Sequence, residues 1–289
     1  MNIQWYPGHM IKAKREMAGY MKTIDLIIEI LDARIPCSSR NPDLGTTGKE
    51  KARIIVLNKA DLADPSVTGL WTDEFLRQQI SCLPMDARGK ESLKKLMAMI
   101  DRACAAKKER DRKRGILERP VRAMVTGIPN VGKSTLINMI AGKSSAKTGN
   151  KPGVTRGSQW IRINRSVELL DTPGILWPKF ERRETGLYLA MTGSISDTVF
   201  NHRELSLELI RILKDRYGEL LDRKYATAGL TEEETLEKIA VTRGCIMKGN
   251  TPDLDKASDV LLNEFKNGGI GRISLERPEN FPEKAVADQ

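Results

Sequence analysis

Apolar and polar positions alternate along this chain in two kinds of pattern. Short apolar runs rich in Ile, Val and Leu are typical of buried β-strands, and longer segments with an apolar residue every three or four positions are typical of amphipathic helices. Two late runs alternate and predict a hairpin. The predicted strands are Asp25–Leu31, Arg53–Leu57, Ser81–Met85, Ala123–Val125, Gln159–Ile163 and Val167–Leu170.

Predicted helices separate these strands. They cover Lys12–Lys22, the segment through Trp71, Phe75 and Leu76, the segment from Ser92 through Ile100, and Leu136–Ile140 up to Gly142. Beyond about residue 180 only helical patterns occur, at Leu205–Tyr217, after a Thr231–Glu234 capping box, and at Ala257–Phe265 up to Gly268 and Gly269. The order predicts an α/β domain with a mostly parallel sheet and helices on both faces, residues 1–178, followed by a small all-α domain, residues 179–289.

The clearest chemical signal follows the strand Ala123–Val125. Residues Gly127 to Ser134 fit the phosphate-loop pattern of a Gly, four residues and Gly-Lys-Ser, and a predicted helix begins directly after them. Backbone N–H groups and the helix N-terminus then face phosphate oxygens, Lys133 reaches the β- and γ-phosphates, and Ser134 ligands Mg²⁺. A chance glycine-rich turn is the alternative, and the strand and helix on either side argue against it. The predicted binding residues here are Asn130, Val131, Gly132, Lys133, Ser134 and Thr135.

Polar motifs follow the other predicted strands as well. Asp171 can hold Mg²⁺ through water, the Gly174 N–H can bond the γ-phosphate, and Thr155 lies in a loop that can close over the same metal. Ligands of parallel sheets bind outside the carboxyl ends of the strands, where all these motifs stand. We therefore expect them to meet at one nucleotide site.

Two further motifs predict that the base is guanine. Asn58, Lys59 and Asp61 follow the second strand, and the Asp61 carboxylate can accept hydrogen bonds from guanine N1–H and N2–H₂, which adenine does not offer. Asp86 and Ala87 follow the third strand, where the Ala87 N–H suits guanine O6. A single acidic turn is a weak signal, since a lone Asp61 would more often cap a helix.

The motifs stand in a rotated order. The guanine motifs at 58–61 and 86–88 precede the phosphate loop at 127–135, the threonine at 155 and the Asp-x-x-Gly at 171–174, whereas ordinary GTPases begin with the phosphate loop. Chain termini often lie close together at the surface, so that a fold tolerates joining them and opening the chain elsewhere. The order therefore predicts a circular permutation of a P-loop GTPase domain.

Composition adds a basic character. There are 48 Lys and Arg against 38 Asp and Glu, a net charge of +10, which attracts anions such as RNA. Part of this charge lies in Lys107–Arg114, which is interpreted as a solvated helix end, with an RNA contact as the alternative. The four cysteines are scattered, and neither a signal peptide nor a membrane-spanning run is present, so a reduced cytoplasmic protein is expected.

On these motifs the chain resembles the circularly permuted bacterial ribosome-assembly GTPases of the YlqF/RbgA type over essentially its whole length. The resemblance implies a cytoplasmic GTPase acting late in maturation of the large ribosomal subunit, with a C-terminal domain similar to small RNA-binding antiterminator-type domains. One departure is Gly268-Gly269, where a basic residue is expected in place of one glycine. The stretches that carry the resemblance are Trp5–Met10, Asp32–Pro36, Asn58–Asp61, Gly127–Thr135, Pro152–Thr155, Asp171–Gly174 and Gly271–Ile273.

The residue that orients the attacking water is less clear from the sequence. Ile175 stands where Ras-like enzymes have a glutamine, and it cannot form a hydrogen bond, so hydrolysis is expected to be slow without a partner. His9 is the candidate that docks to orient the water, with a surface residue as the alternative. Asn130, by similarity to relatives, can ligand a K⁺ ion in place of an arginine finger, and otherwise only shapes the turn.

The sequence thus predicts a GTP-hydrolysing assembly factor of the large (50S) ribosomal subunit, stimulated by the subunit and released after hydrolysis. The expected cofactors are GTP or GDP, Mg²⁺ and K⁺, and the expected partners are rRNA and ribosomal proteins, without membrane or DNA, the chain being a monomer off the ribosome. The alternative is an RNA-binding or tRNA-modifying P-loop protein regulated by GTP. Candidate rRNA contacts are Lys12, Lys14, Arg15, Arg243, Lys248, Lys266 and Arg272.

Overall fold

The computed structural model describes most of the chain. It covers residues 8–42, 44, 51–86, 90–115, 119–142, 158–177, 180, 182–196 and 199–280, without the side chains of 8, 9, 14 and 90. Predictions made for Trp5–Pro7, Ala87, Pro152–Thr155 and the side chains of His9 and Lys14 lie outside the described residues.

A twisted sheet of six strands forms the centre of the part of the chain that the structure describes. The strand order is β3-β2-β1-β4-β6-β5, and all neighbours pair in parallel except β5 with β6. The predicted hairpin and the mostly parallel sheet are confirmed. The strands are β1 Leu26–Asp32, β2 Ala52–Asn58, β3 Ser81–Pro84, β4 Val121–Gly127, β5 Gln159–Arg162 and β6 Val167–Asp171.

Helices cover both faces of this sheet, as the continuous apolar runs of its central strands require. On one face Met17 and Trp71 pack against the strands, and on the other Leu96 and Leu136 do so. A 3₁₀ turn follows the first helix at Met21–Thr23. The helices of this domain are α1 Gly8–Tyr20, α2 Pro65–Arg77, α3 Lys90–Ala103, α4 Ala105–Lys113 and α5 Lys133–Ala141.

The basic run forms the separate helix α4, none of whose residues is buried. Lys107 contacts the Asp25 carboxylate at 3.1 Å and the Asp111 carboxylate at 3.1 Å. Part of the charge therefore holds α4 against the start of β1, which the interpretation as a solvated helix end did not include.

Helices alone were predicted for the C-terminal part, and helices dominate it. Thr231 and Glu234 form the predicted capping box, and the Tyr217 backbone (φ −138°, ψ 29°) interrupts the longest helix. Two features escaped prediction, a short helix and a two-stranded hairpin, because neither is long enough to show a periodic pattern. The elements are α6 Arg183–Met191, α7 His202–Tyr225, α8 Glu232–Thr242, β7 Ile246–Met247, β8 Thr251–Pro252 and α9 Leu254–Lys266, and a 3₁₀ turn at Pro278–Asn280 ends the described chain.

The segment after α9 runs back to the sheet domain. Ile273, Ser274, Leu275 and Glu276 are almost fully buried there. By position this stretch belongs to the second predicted domain, yet it packs on loops of the first. None of the described helices has the length and apolar content needed to cross a membrane.

Candidate functional site

The phosphate loop, residues Gly127–Ser134, leaves β4 and enters α5, as its sequence pattern predicts. Asn130 and Gly132 have left-handed backbone conformations, with φ of 57° and 102°. Lys133 is buried, and its Nζ donates hydrogen bonds to the carbonyl oxygens of Gly127 at 3.0 Å and Ile128 at 2.7 Å. The loop therefore curls around the lysine ammonium group that would contact phosphate.

Asp171 ends β6 beside this lysine. Its carboxylate is buried, and neither oxygen has a hydrogen-bond partner by geometry among the described residues. Burial raises the pKa of Asp171 to about 6, against the opposing effects of the Lys133 charge and the nearby Gln159 amide. Burial likewise lowers the pKa of Lys133 to about 8, although the Asp171 charge opposes the change. A buried carboxylate of this kind is suited to a hydrated divalent cation.

The chain after Asp171 passes directly over the phosphate loop. A Cβ atom at Gly174 would lie 2.8 Å from the Pro129 backbone nitrogen, so that only glycine fits without displacement. The Ile175 N–H points to the Gly127 carbonyl at 3.4 Å, and the Ile175 side chain is buried in one cluster with Ala13 and Met17 of α1. The residue in the glutamine position of Ras-like enzymes is thus part of the core.

The predicted guanine motifs meet the phosphate loop at the same edge of the sheet. The Asn58 side-chain amide donates a hydrogen bond to the Val131 carbonyl at 2.7 Å, and a Cβ at Gly132 would lie 2.2 Å from the Asn58 Nδ2 atom. The Ala60 N–H donates to the Met85 carbonyl at 3.2 Å, which joins the loop after β2 to the loop after β3.

Comparison with known proteins identifies the family. The chain is 42% identical to ribosome biogenesis GTPase A of Bacillus cereus, over 98% of this chain and 97% of that protein. The protein of the same name from Thermotoga maritima is 31% identical over 96% of each chain. The chain belongs to the ribosome biogenesis GTPase A family. The family of 50S ribosome-binding GTPases also matches, at residues 122–242 of this GTPase.

Solved structures agree with this assignment. A GDP-bound structure of TM YlqF superposes on this GTPase with a TM-score of 0.65 and 26% identity, covering 92% of this chain and 100% of that one. A GNP-bound structure of YlqF from T. maritima gives a TM-score of 0.65 and 27% identity, covering 93% and 99%. The predicted P-loop GTPase fold is therefore confirmed by solved structures of relatives.

A buried ion network behind the guanine motif was missed by sequence reasoning. The Arg34 guanidinium donates to both carboxylate oxygens of Asp32, at 2.9 and 2.8 Å, and the Lys59 Nζ donates to Asp32 at 3.0 Å. Burial would raise the pKa of Asp32, but these two charges outweigh it and hold that pKa well below its usual range. In the sequence, this ion network was indicated only by the Asp32–Pro36 stretch, which is part of the family resemblance but was given no role.

The structure gathers part of the predicted nucleotide site at the carboxyl edge of the sheet. Ser134 and Thr135 stand in the first turn of α5, and Asp61 and Asp86 stand in the loops after β2 and β3. The His9 backbone lies in the first turn of α1. Thr155 and Ala87, predicted as a metal ligand and a base contact, stay predictions.

Asn130, the predicted K⁺ ligand, also contacts the helical part of this GTPase, which is the predicted domain of residues 179–289. Its side-chain amide nitrogen donates a hydrogen bond to the Gly193 carbonyl, just after α6, at 2.7 Å. A K⁺ ion would instead be ligated by the side-chain oxygen. The phosphate loop and the helical part are thus directly joined through this side chain.

The predicted rRNA contacts differ in their exposure and in the groups that they contact. Lys12, Arg15 and Lys248 are exposed, Lys12 lying 4.0 Å from Glu16, and Lys266 is half-buried. Arg243 contacts the Glu264 carboxylate and the Tyr225 ring. Arg272 is exposed, and its guanidinium donates hydrogen bonds to the carbonyl oxygens of Ala63 at 3.1 Å and Ala60 at 3.0 Å. Those bonds hold it against the guanine motif, and its predicted rRNA contact stays a prediction.

Proposed function

We propose that this GTPase hydrolyses GTP while it assembles the large ribosomal subunit in the cytoplasm, and that it leaves the subunit after hydrolysis. The observation that carries the proposal is the buried Asp171 carboxylate beside Lys133, at the sheet edge that also holds Asn58 and Asp61. Relatives named ribosome biogenesis GTPase A and 50S ribosome-binding GTPase support the choice of partner.

Mg²⁺ fits this site because Asp171 offers a buried carboxylate without a hydrogen-bond partner by geometry among the described residues. Ser134 and Asp171 would hold the ion, and Thr155 would join them. When bound, the ion neutralises charge on the β- and γ-phosphates. Lys133 would move from the Gly127 and Ile128 carbonyls to the same phosphates, and the Gly174 N–H would bond the γ-phosphate.

Guanine would be bound by the loops after β2 and β3. Asp61 accepts hydrogen bonds from N1–H and N2–H₂, and the Ala87 N–H donates to O6, with Asp86 preceding it in the same loop. Asn58 supports this loop through its bond to Val131, and Lys59 supports it through Asp32. The backbone of the phosphate loop from Asn130 to Thr135 holds the phosphates.

His9 is the proposed group that orients the attacking water, and Asn130 the proposed K⁺ ligand. Ile175 is buried, so the position that supplies a glutamine in Ras-like enzymes cannot act here. Hydrolysis by the isolated protein, a monomer, would be slow, and the ribosomal subunit would accelerate it by docking the segment that carries His9.

The GTP-binding part, residues 1–178, and the helical part, residues 179–289, would both contact the subunit. Lys12, Lys14 and Arg15 would contact rRNA from the first part, and Arg243, Lys248, Lys266 and Arg272 from the second. An RNA-binding or tRNA-modifying protein with GTP as regulator is the alternative.

Single-turnover GTP hydrolysis, measured with and without purified large subunits, tests the proposal. We expect slow hydrolysis alone and a clear acceleration by large subunits, with small subunits as the matched control. Equal rates in all three reactions would contradict the proposal, and acceleration by tRNA alone would favour the alternative.

A further inference from the structure

The segment Arg272–Glu276, here called the return segment, contacts the loop that carries the guanine-reading aspartate. It follows α9 and lies against residues Asn58–Asp64, here called the guanine loop. The Ile273 N–H donates to the Leu62 carbonyl at 2.9 Å, and the Leu275 N–H donates to the Arg34 carbonyl at 2.9 Å. The first bond joins the return segment to the guanine loop, and the second joins it to the chain just after β1.

Side chains add to these bonds on both sides of Asp61. Arg272 donates to the Ala60 and Ala63 carbonyls, and the Asp64 N–H donates to the Ser274 hydroxyl at 3.2 Å. The carbonyls of Ala60, Leu62 and Ala63 are therefore all bonded to the return segment. Backbone carbonyls of a surface loop would otherwise depend on water, which does not fix their direction.

A second layer connects the helical part to Lys59 of the guanine loop. Besides Asp32, Arg34 donates to the Phe265 carbonyl at 3.4 Å and the Lys266 carbonyl at 3.2 Å, at the end of α9. The Glu276 carboxylate accepts hydrogen bonds from the backbone N–H groups that follow Pro36, at 2.7 and 3.1 Å. The end of α9 therefore supports Arg34, and Arg34 in turn holds the Asp32 carboxylate that bonds Lys59.

The loop needs such support, because Lys59 has a φ of 59°. A left-handed backbone is unfavourable at a residue other than glycine and persists where the surroundings enforce it. Selective recognition of guanine by one carboxylate also requires its position to be held within roughly 0.5 Å.

We infer that the return segment is part of the guanine-recognition site, and that Arg272 is a positioning residue that sets the backbone on both sides of Asp61. This inference rests on the proposed role of Asp61 in reading guanine. Since coupling is reciprocal, a bound guanine base also stabilises the docking of the return segment, and with it the helical part, on the guanine loop.

The test compares affinities for GDP and inosine diphosphate, which lacks the 2-amino group that Asp61 would bind. We expect wild type to prefer GDP, and Arg272→Ala to lower this preference about threefold to tenfold, by weakening GDP more than inosine diphosphate. Arg272→Lys should restore part of it. Arg211→Ala, an exposed arginine of α7 paired only with Glu208 among the contacts described, is the matched control and should keep the wild-type preference.

An unchanged preference in Arg272→Ala, or an equal loss of affinity for both nucleotides, would overturn the inference. Should Arg272→Ala fail to fold, Ser274→Ala removes only the bond from the Asp64 N–H and should lower the preference by a smaller factor. Asp61→Asn distinguishes a failure of the proposed guanine contact from a failure of the inference about the return segment. If that variant keeps the GDP preference, the proposed role of Asp61 is wrong; if it loses the preference while Arg272→Ala and Ser274→Ala keep it, only the inference fails.

Discussion

Asp171 and Lys133 place two opposite charges in one buried region, and burial acts on both. Because burial raises the pKa of Asp171 to about 6, a large fraction of the carboxylate is protonated in weakly acidic solution. A divalent cation binds the ionised form and displaces the proton. At the proposed Mg²⁺ site the ion would therefore compete with protons at pH values where an ordinary aspartate is fully ionised.

We predict that the gain in GDP affinity produced by Mg²⁺ increases with pH by up to about tenfold per unit below pH 6 and becomes constant above pH 7. The measurement is a GDP titration with saturating Mg²⁺ and with a chelator, between pH 5 and 8. Asp171→Asn serves as the control, because it keeps the titration of the nucleotide itself. The same slope in the variant and in wild type would contradict the prediction.

Stability gives an independent check on the same residue. The folded-state pKa of Asp171 lies above the reference value of 3.8, so the folded protein retains a proton that the unfolded chain releases. The contribution of Asp171 to the free energy of unfolding therefore falls as pH rises from about 4 to about 6. Relative to Asp171→Asn, wild type should become less stable across this window.

At the scale of elements, α1 links the N-terminal segment to the chain after Asp171. Ala13 and Met17 of α1 pack in one cluster with Ile175, while His9 belongs to the first turn of the same helix. A change in the conformation of the segment after Gly174 would therefore alter the packing of α1, the helix that carries His9.

We predict that His9→Ala lowers subunit-stimulated GTP hydrolysis at least tenfold and leaves GDP affinity within about twofold of wild type, since His9 would act on water and not on the bound nucleotide. Stimulated single-turnover rates and GDP dissociation constants measure both effects. Ile11→Ala, on the exposed side of α1, is the control for general disturbance of the helix. Normal stimulated hydrolysis by His9→Ala would assign the water to another group.

At the scale of the whole molecule, the helical part contacts both ends of the proposed nucleotide site. Asn130 bonds the Gly193 carbonyl beside the phosphate loop, and Arg272 bonds the guanine loop. The chain after Gly174 also leads toward α6. A ligand that reorganises either loop would thus alter the preferred placement of the helical part.

We predict that the large subunit binds this protein more tightly with a non-hydrolysable GTP analogue than with GDP, and that by linkage the subunit tightens GTP binding by the same factor. Raising the salt concentration should weaken both complexes, because phosphate contacts release counterions. Binding titrations in the two nucleotide states at several salt concentrations measure both effects. Equal affinities in the two states would show that the connections transmit no nucleotide signal.

The sequence by itself determined most of the elements and the chemistry carried within them. The central sheet strands are apolar runs, the β5–β6 hairpin shows alternation, and Gly127–Ser134 is a local pattern whose strand, loop and helix follow from neighbouring residues. Parallel strands share a carboxyl edge, so motifs that are distant in the chain could be placed together without coordinates. The permuted order followed from the same reasoning.

Only the tertiary structure decided which charged side chains belong to the site. Arg272 was predicted as an RNA contact, and Asn130 as a nucleotide contact and K⁺ ligand or a turn former, without a bond to the helical part. Arg272 bonds a carbonyl 209 positions away, and a contact over such a separation leaves no periodic pattern in the chain. A basic side chain near a chain end has the same sequence signal whether it faces RNA or a carbonyl of its own protein, and folding alone determines which of these it meets.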